Sequence, residues 1–87
     1  MHMLDVATIG QIIRDERKEL GLRQDELAAA SGVGLRFLVE LERGKPTVQM
    51  GKVLDVLAAL GCELRIKRPD GIVIAGQMDE FKKDKAE

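Results

Sequence analysis

The side chain with the most distinctive chemistry in this 87-residue chain is Arg36. It lies near the start of a short apolar-periodic stretch, residues 35–43, that stops at Gly44. A guanidinium carried on such a stretch can bond O6 and N7 of one guanine from the major groove of DNA. A good bidentate pair of this kind is worth about 1–3 kcal/mol of discrimination. Leu35 beside it has no donor but can rest on a thymine methyl, and Arg23 and Lys45 can neutralise phosphates flanking the groove. Glu40, on the same stretch, either repels phosphate or accepts from a cytosine amine.

Other chemistries find less support. His2 stands alone near the start and makes no metal site. Gly32-x-Gly34 lacks the third glycine and the preceding strand of a dinucleotide loop, and Gly44-Lys45-Pro46-Thr47 lacks the upstream glycine of a phosphate loop. Carboxylates fall on helix surfaces, and no Ser or Cys has an evident His base. Cys62 is the sole cysteine, which excludes an intrachain disulfide and reads as a buried thiol in a reducing compartment. These features predict a non-enzyme with no catalytic residue, no cofactor and no metal.

The elements that position Arg36 are legible from apolar spacing and stop signals. A first helix is predicted over 9–20, with Thr8 and Gln11 as a capping box and Ile9, Ile12, Ile13 and Leu20 as its apolar stripe. Gly21 ends it. A second helix spans 24–30, with Asp25 and Glu26 in its first turn, where the helix dipole favours negative charge, and Leu27 and Ala28 facing inward. Ser31-Gly32 is the turn and Val33 the apolar plug after it. The third helix, 35–43, buries Leu38 and Leu41. Two short helices joined at Ala30-Ser31-Gly32-Val33 form a helix-turn-helix. The close approach of its two helices is assigned to the missing side chain of Gly32. Thr47 is the expected cap of a fourth helix over 48–60, with Met50, Val53, Leu54, Leu57 and Leu60 at core spacing. Val56 and Ala59 widen that face.

After Gly61 the period becomes two. Cys62, Leu64 and Ile66 alternate with charged residues, Pro69-Asp70-Gly71 is a turn, and residues 72–75 read as a second strand. The organisation expected is a DNA-binding unit at 1–61, a β-strand or hairpin at 62–76 and a charged tail at 77–87.

Composition sets limits. The chain is 45% hydrophobic and 33% charged, so it can fold, but at this length its core is thin. Phe37 and Phe81 are the only aromatics, which disfavours stacking on single-stranded bases. Net charge is −1, so DNA binding must come from local placement of cations, not from a global field. No apolar run approaches the ~20 residues of a membrane span, and no secretion signal is visible. A cytoplasmic protein is expected, with no membrane partner.

The run Gly21-Leu22-Arg23-Gln24-Asp25-Glu26-Leu27-Ala28, then Ser31-Gly32-Val33, then Leu38-Val39-Glu40-Leu41-Glu42-Arg43-Gly44-Lys45, resembles the phage-repressor-like Xre (Cro/C1) family. The segment Gly34-Leu35-Arg36-Phe37-Leu38 through Glu42-Arg43-Gly44-Lys45-Pro46-Thr47, with the strand-like residues 64–67, is similar more narrowly to HipB-type antitoxins. These repress toxin–antitoxin operons whose toxins are HipA-like serine/threonine kinases. The resemblance implies a mostly α, lambda repressor-like bundle of four or five short helices, with a C-terminal strand or hairpin used in dimerisation. It implies a phosphate contact for Gln24, groove-facing positions for Leu35, Arg36 and Val39, and a phosphate neighbour in Lys45. It also implies a bridge between helices one and three in Arg17 and Glu42, read here as half-exposed. Arg23 stands where the family usually caps the second helix with Ser or Thr, and Gly34 replaces the common Ser ahead of the reading helix.

A lone reading helix covers few base pairs, so a dimer on a palindromic operator is expected. Pairing Leu64, Ile66, Ile72 and Ile74 with a second copy would bury an otherwise marginal hairpin. In the tail, Met78 and Phe81 are apolar anchors that either stay solvated or order on a partner such as a kinase toxin. Two alternatives stand beside the antitoxin: a stand-alone regulator of the phage-repressor or restriction–modification-controller kind, and a protein-interaction module that keeps the fold without binding DNA.

Overall fold

The computed structural model describes residues 4–76; the first three residues and the predicted tail, 77–87 with Met78 and Phe81, lie outside the described residues. Four helices, α1 (Val6–Glu19), α2 (Gln24–Ser31), α3 (Leu35–Glu42) and α4 (Met50–Ala59), precede a hairpin of β1 (Leu64–Lys67) and β2 (Val73–Gly76). The chain is thus mostly helical with a C-terminal antiparallel hairpin, paired within one chain.

The start of α1 differs from the sequence expectation. Asp5, not Thr8, is the cap: its carboxylate accepts from the Thr8 backbone N–H and from the Thr8 hydroxyl, both at 2.8 Å. Both D-x-x-T and T-x-x-Q were available, and the earlier one adds almost a turn of helix. Gln11 is left to bond Asp15 one turn on. The inward stripe is also different. Ile13 is fully buried and Ile9 packs on the core as expected, but Ile12 and Leu20 are about half exposed, and Gly10 and Arg17 take the other buried positions.

Gly10 faces α3 so closely that a Cβ there would overlap the Leu41 carbonyl oxygen. This backbone-to-backbone seat fixes α3 on α1. Gly32 has a different task from the one predicted: nothing lies within 4 Å of a Cβ built on it. Its φ of 71° is what the turn needs, because a left-handed residue lets α2 end and frees Val33 N–H to bond the Ala28 carbonyl at 3.1 Å. Small size at Gly32 is incidental; backbone handedness is the requirement.

The start of α4 is later than expected. Pro46 and Thr47 lie in a turn, and Gln49, without a side-chain bond, occupies the cap position. Val48 still packs on the core from outside the helix. Met50 is about half exposed, Ala59 is exposed, and Val56 is fully buried, so the inward face of α4 runs through Val53, Val56, Leu57 and Leu60. These meet Ile13, Leu27, Ala28, Leu38 and Leu41 in one cluster, with Val33, Phe37 and Cys62 packed at its edge. Burying side chains of this kind stabilises by about 1.5–3 kcal/mol each. The Cys62 thiol is pushed up from its ordinary pKa by burial and then by the Glu16 carboxylate, which favours the unreactive protonated form.

Candidate nucleic-acid interface

α3 packs on α1 and on α2, which in turn packs on α4, and one face of α3 is buried through Leu38, Leu41 and Glu42. Its N-cap, Gly34, contributes no side chain and faces open space, so a ligand's surface can approach the helix start closely. The opposite face carries Arg36, whose side chain is 91% exposed, and Leu35, about half exposed, stands at the open start of the helix.

Behind this face is a charged anchor. Arg17 donates from Nε to Glu42 Oε2 at 2.7 Å and from Nη2 to Oε1 at 3.0 Å, and its Nη1 bonds the Leu22 carbonyl at 2.9 Å. The side chains retain 11% and 3% of their exposure, so this is a buried pair and not the half-exposed one expected. All its polar atoms are satisfied: among the described residues no buried side-chain N or O lacks a partner. Gln24 joins it, donating from Nε2 to Glu42 Oε1 at 3.1 Å. An amide has two such hydrogens, so the second remains for a ligand.

Above the anchor is a cleft lined by Arg14, Arg17, Gln24, Val39, Glu42 and Arg43. Val39 is half-buried there. Among the described residues neither Arg14 nor Arg43 is held in an ion pair. The sequence reading missed both. Arg14 precedes Arg17 by three residues, which places the two on one face of α1, and Arg43 is the C-cap of α3; those placements were the available signals.

A second charged group lies one turn along α3. Glu40 Oε2 is 3.1 Å from Lys45 Nζ and 3.9 Å from Arg36 Nε. Arg23 points elsewhere: its Nε bonds Asp25 at 3.0 Å and its Nη2 is 4.0 Å from Glu26. The hydrogen bond from Arg23 holds the Asp25 carboxyl below its usual range. Glu26 accepts from the Arg23 backbone N–H at 2.9 Å, one half of a capping box, and the Glu26 N–H, which a Ser or Thr at position 23 would have capped, donates instead to Asp25 Oδ1 at 3.0 Å.

The hairpin register sets Leu64 against Gly76, Ile66 against Ile74 and Lys67 against Val73. With side chains alternating, Leu64, Ile66, Ile74 and Ile72 share one face. Leu64 is half-buried, while Ile66, Ile72 and Ile74 are 58%, 54% and 46% exposed.

A short exposed helix seated across a second helix by a left-handed glycine turn defines a helix-turn-helix. The helix-turn-helix family HTH_3 matches residues 13–67, well over half of the chain, and the chain belongs to that family. An HTH-type transcriptional regulator of Sinorhizobium fredii, y4mF, itself uncharacterized, is 62% identical over 63 residues, covering 72% of this chain and 83% of that protein. Another uncharacterized HTH-type transcriptional regulator, of Methanothermobacter thermautotrophicus, is 40% identical over 52 residues, 60% of this chain and 75% of the other. The ImmF control region 10 kDa protein of Bacillus phage phi105 is 42% identical over 43 residues, about half of each chain. The chain is therefore of a DNA-binding, transcription-regulating family with the lambda repressor-like fold. Among the described residues no helix is long and apolar enough to cross a membrane.

Proposed function

We propose that this protein is a sequence-specific transcriptional repressor of the cytoplasm that places α3 in the major groove of double-stranded DNA. The observation that carries the reading is Arg36, almost fully exposed on a helix whose other face is locked by Leu38, Leu41 and the Arg17–Glu42 pair. Leu35 and Arg36 meet base edges. Gln24, through its second amide hydrogen, and Lys45 meet phosphate, as do Arg14 and Arg43. The bare N-cap at Gly34 allows the approach. Arg23 contributes less than its charge suggests, because Asp25 and Glu26 already engage it.

The protein acts as a homodimer on a palindromic operator, its half-sites about 34–36 Å apart. The apolar hairpin face of Leu64, Ile66, Ile72 and Ile74 supports this, since a pairing surface explains its exposure. Substituting Ile66→Lys with Ile74→Lys is expected to give monomers by sedimentation while the helical circular dichroism persists; an intact dimer contradicts that assignment. Within this reading the protein serves as antitoxin to a HipA-like kinase, on the strength of the Gly34 to Thr47 segment followed by the hairpin. Likeness to a phage control-region protein supports a repressor and favours the stand-alone regulator as the second reading. An adjacent kinase-like reading frame, and co-purification with its product, separates the two.

Gel shifts with the DNA upstream of the protein's own gene, at two salt concentrations, test the core of the proposal. Three phosphate-facing cations per protomer predict a log–log salt slope near −5 for a dimer, by order of magnitude. Arg36→Ala is expected to weaken binding on the order of tenfold. Gln24→Ala weakens it less and more evenly across sequences. Absence of any salt-sensitive shift would favour a protein-interaction module instead.

A further inference from the structure

Within that DNA-binding reading, we propose that Glu40 is a specificity-determining residue that selects a cytosine in the base pair adjacent to the guanine taken by Arg36. The two side chains are one helical turn apart on the outward face of α3, and their charged ends lie 3.9 Å apart. A carboxylate is costly in a groove walled by phosphates unless cations accompany it. Here they do: Lys45 Nζ bonds Glu40 Oε2 at 3.1 Å, and Arg36 Nε lies 3.9 Å from the same oxygen, which leaves Oε1 for a base. Lys45 has three donors, so it can hold Glu40 and a phosphate together.

The choice of base follows from acceptor chemistry. Ionised Glu only accepts hydrogen bonds. Guanine shows it two acceptors, and thymine an acceptor and a methyl, so both are refused. Adenine sets its amine beside the N7 acceptor, which opposes the second carboxylate oxygen. Cytosine presents its N4 amine without a neighbouring acceptor and is the one base that fits. Arg36 makes the complementary choice and favours guanine.

Selection from a randomised duplex library with the full chain tests this, followed by anisotropy on single-base variants. Wild type is expected to enrich a cytosine in the base pair next to that of the guanine, and changing that C·G pair to T·A lowers affinity on the order of tenfold. Glu40→Ala loses the cytosine preference and keeps that for guanine. Glu40→Gln moves the position towards adenine, whose N6 and N7 suit an amide. If Glu40→Ala binds every duplex more tightly and ranks them as wild type does, Glu40 is only an electrostatic brake and the proposal fails while the DNA-binding reading survives. If wild type enriches no duplex, both fall.

Discussion

Replacing Glu42 with alanine is expected to remove about 3–5 kcal/mol of stability, since it leaves the Arg17 guanidinium buried without its partner. For a domain of this size that is a loss of roughly 12–40 °C in Tm. The same change frees Gln24, so DNA binding should weaken even at temperatures where the variant is folded. The double variant Arg17→Met, Glu42→Leu is expected to regain most of the loss, because two apolar side chains carry no desolvation cost. It will not regain all of it, as the Leu22 carbonyl also loses a partner. Urea melts followed by circular dichroism measure both. A cost below about 1 kcal/mol for Glu42→Ala would mean that the pair behaves as a surface pair and that α3 is held by apolar packing alone.

Three glycines give the second large effect and its controls. Gly10→Ala inserts a methyl into the Leu41 carbonyl, where backbone meets backbone and neither side can rotate away. Overpacking of this kind costs about 1–3 kcal/mol, and the upper end is expected here. Alanine's better helix propensity offsets about 1 kcal/mol, leaving a net loss near 2. Gly32→Ala costs about 1–2 kcal/mol through its left-handed backbone, with no clash. Gly51→Ala, in α4 with open space around it, is neutral or stabilising by up to about 1 kcal/mol. Thermal melts of the three variants should rank in that order; equal stability of Gly10→Ala and wild type would contradict the close seat of α1 on α3.

The contrast among these glycines shows what could be read from the sequence. Stop signals at Gly21, Gly44 and Gly61 and the change of period after Gly61 located four helices and a hairpin, because those signals are local. Gly10 carries no such local signal; its purpose depends on the Leu41 carbonyl, which only tertiary packing brings near. The same holds for Arg17 and Glu42, whose charges are visible in the sequence but whose burial is not. Helix starts were misplaced at Thr8 and Thr47 because several polar residues compete for each cap, and packing decides: Asp5 prevails at one, and Val48 docks ahead of α4 at the other. At the candidate site, Arg36 stood out by type and position. Arg14 and Arg43 did not, since the cleft that gathers them is built from three helices distant in sequence.

Methylation protection of guanine N7 is the most direct measurement of whether α3 enters the major groove, since N7 lies on the groove floor that Arg36 is held to reach. On upstream DNA at saturating protein, two clusters of protected guanines one helical turn apart are expected, with protection lost in Arg36→Ala at concentrations that still fill the site. Full occupancy with every guanine N7 still reactive would contradict the account.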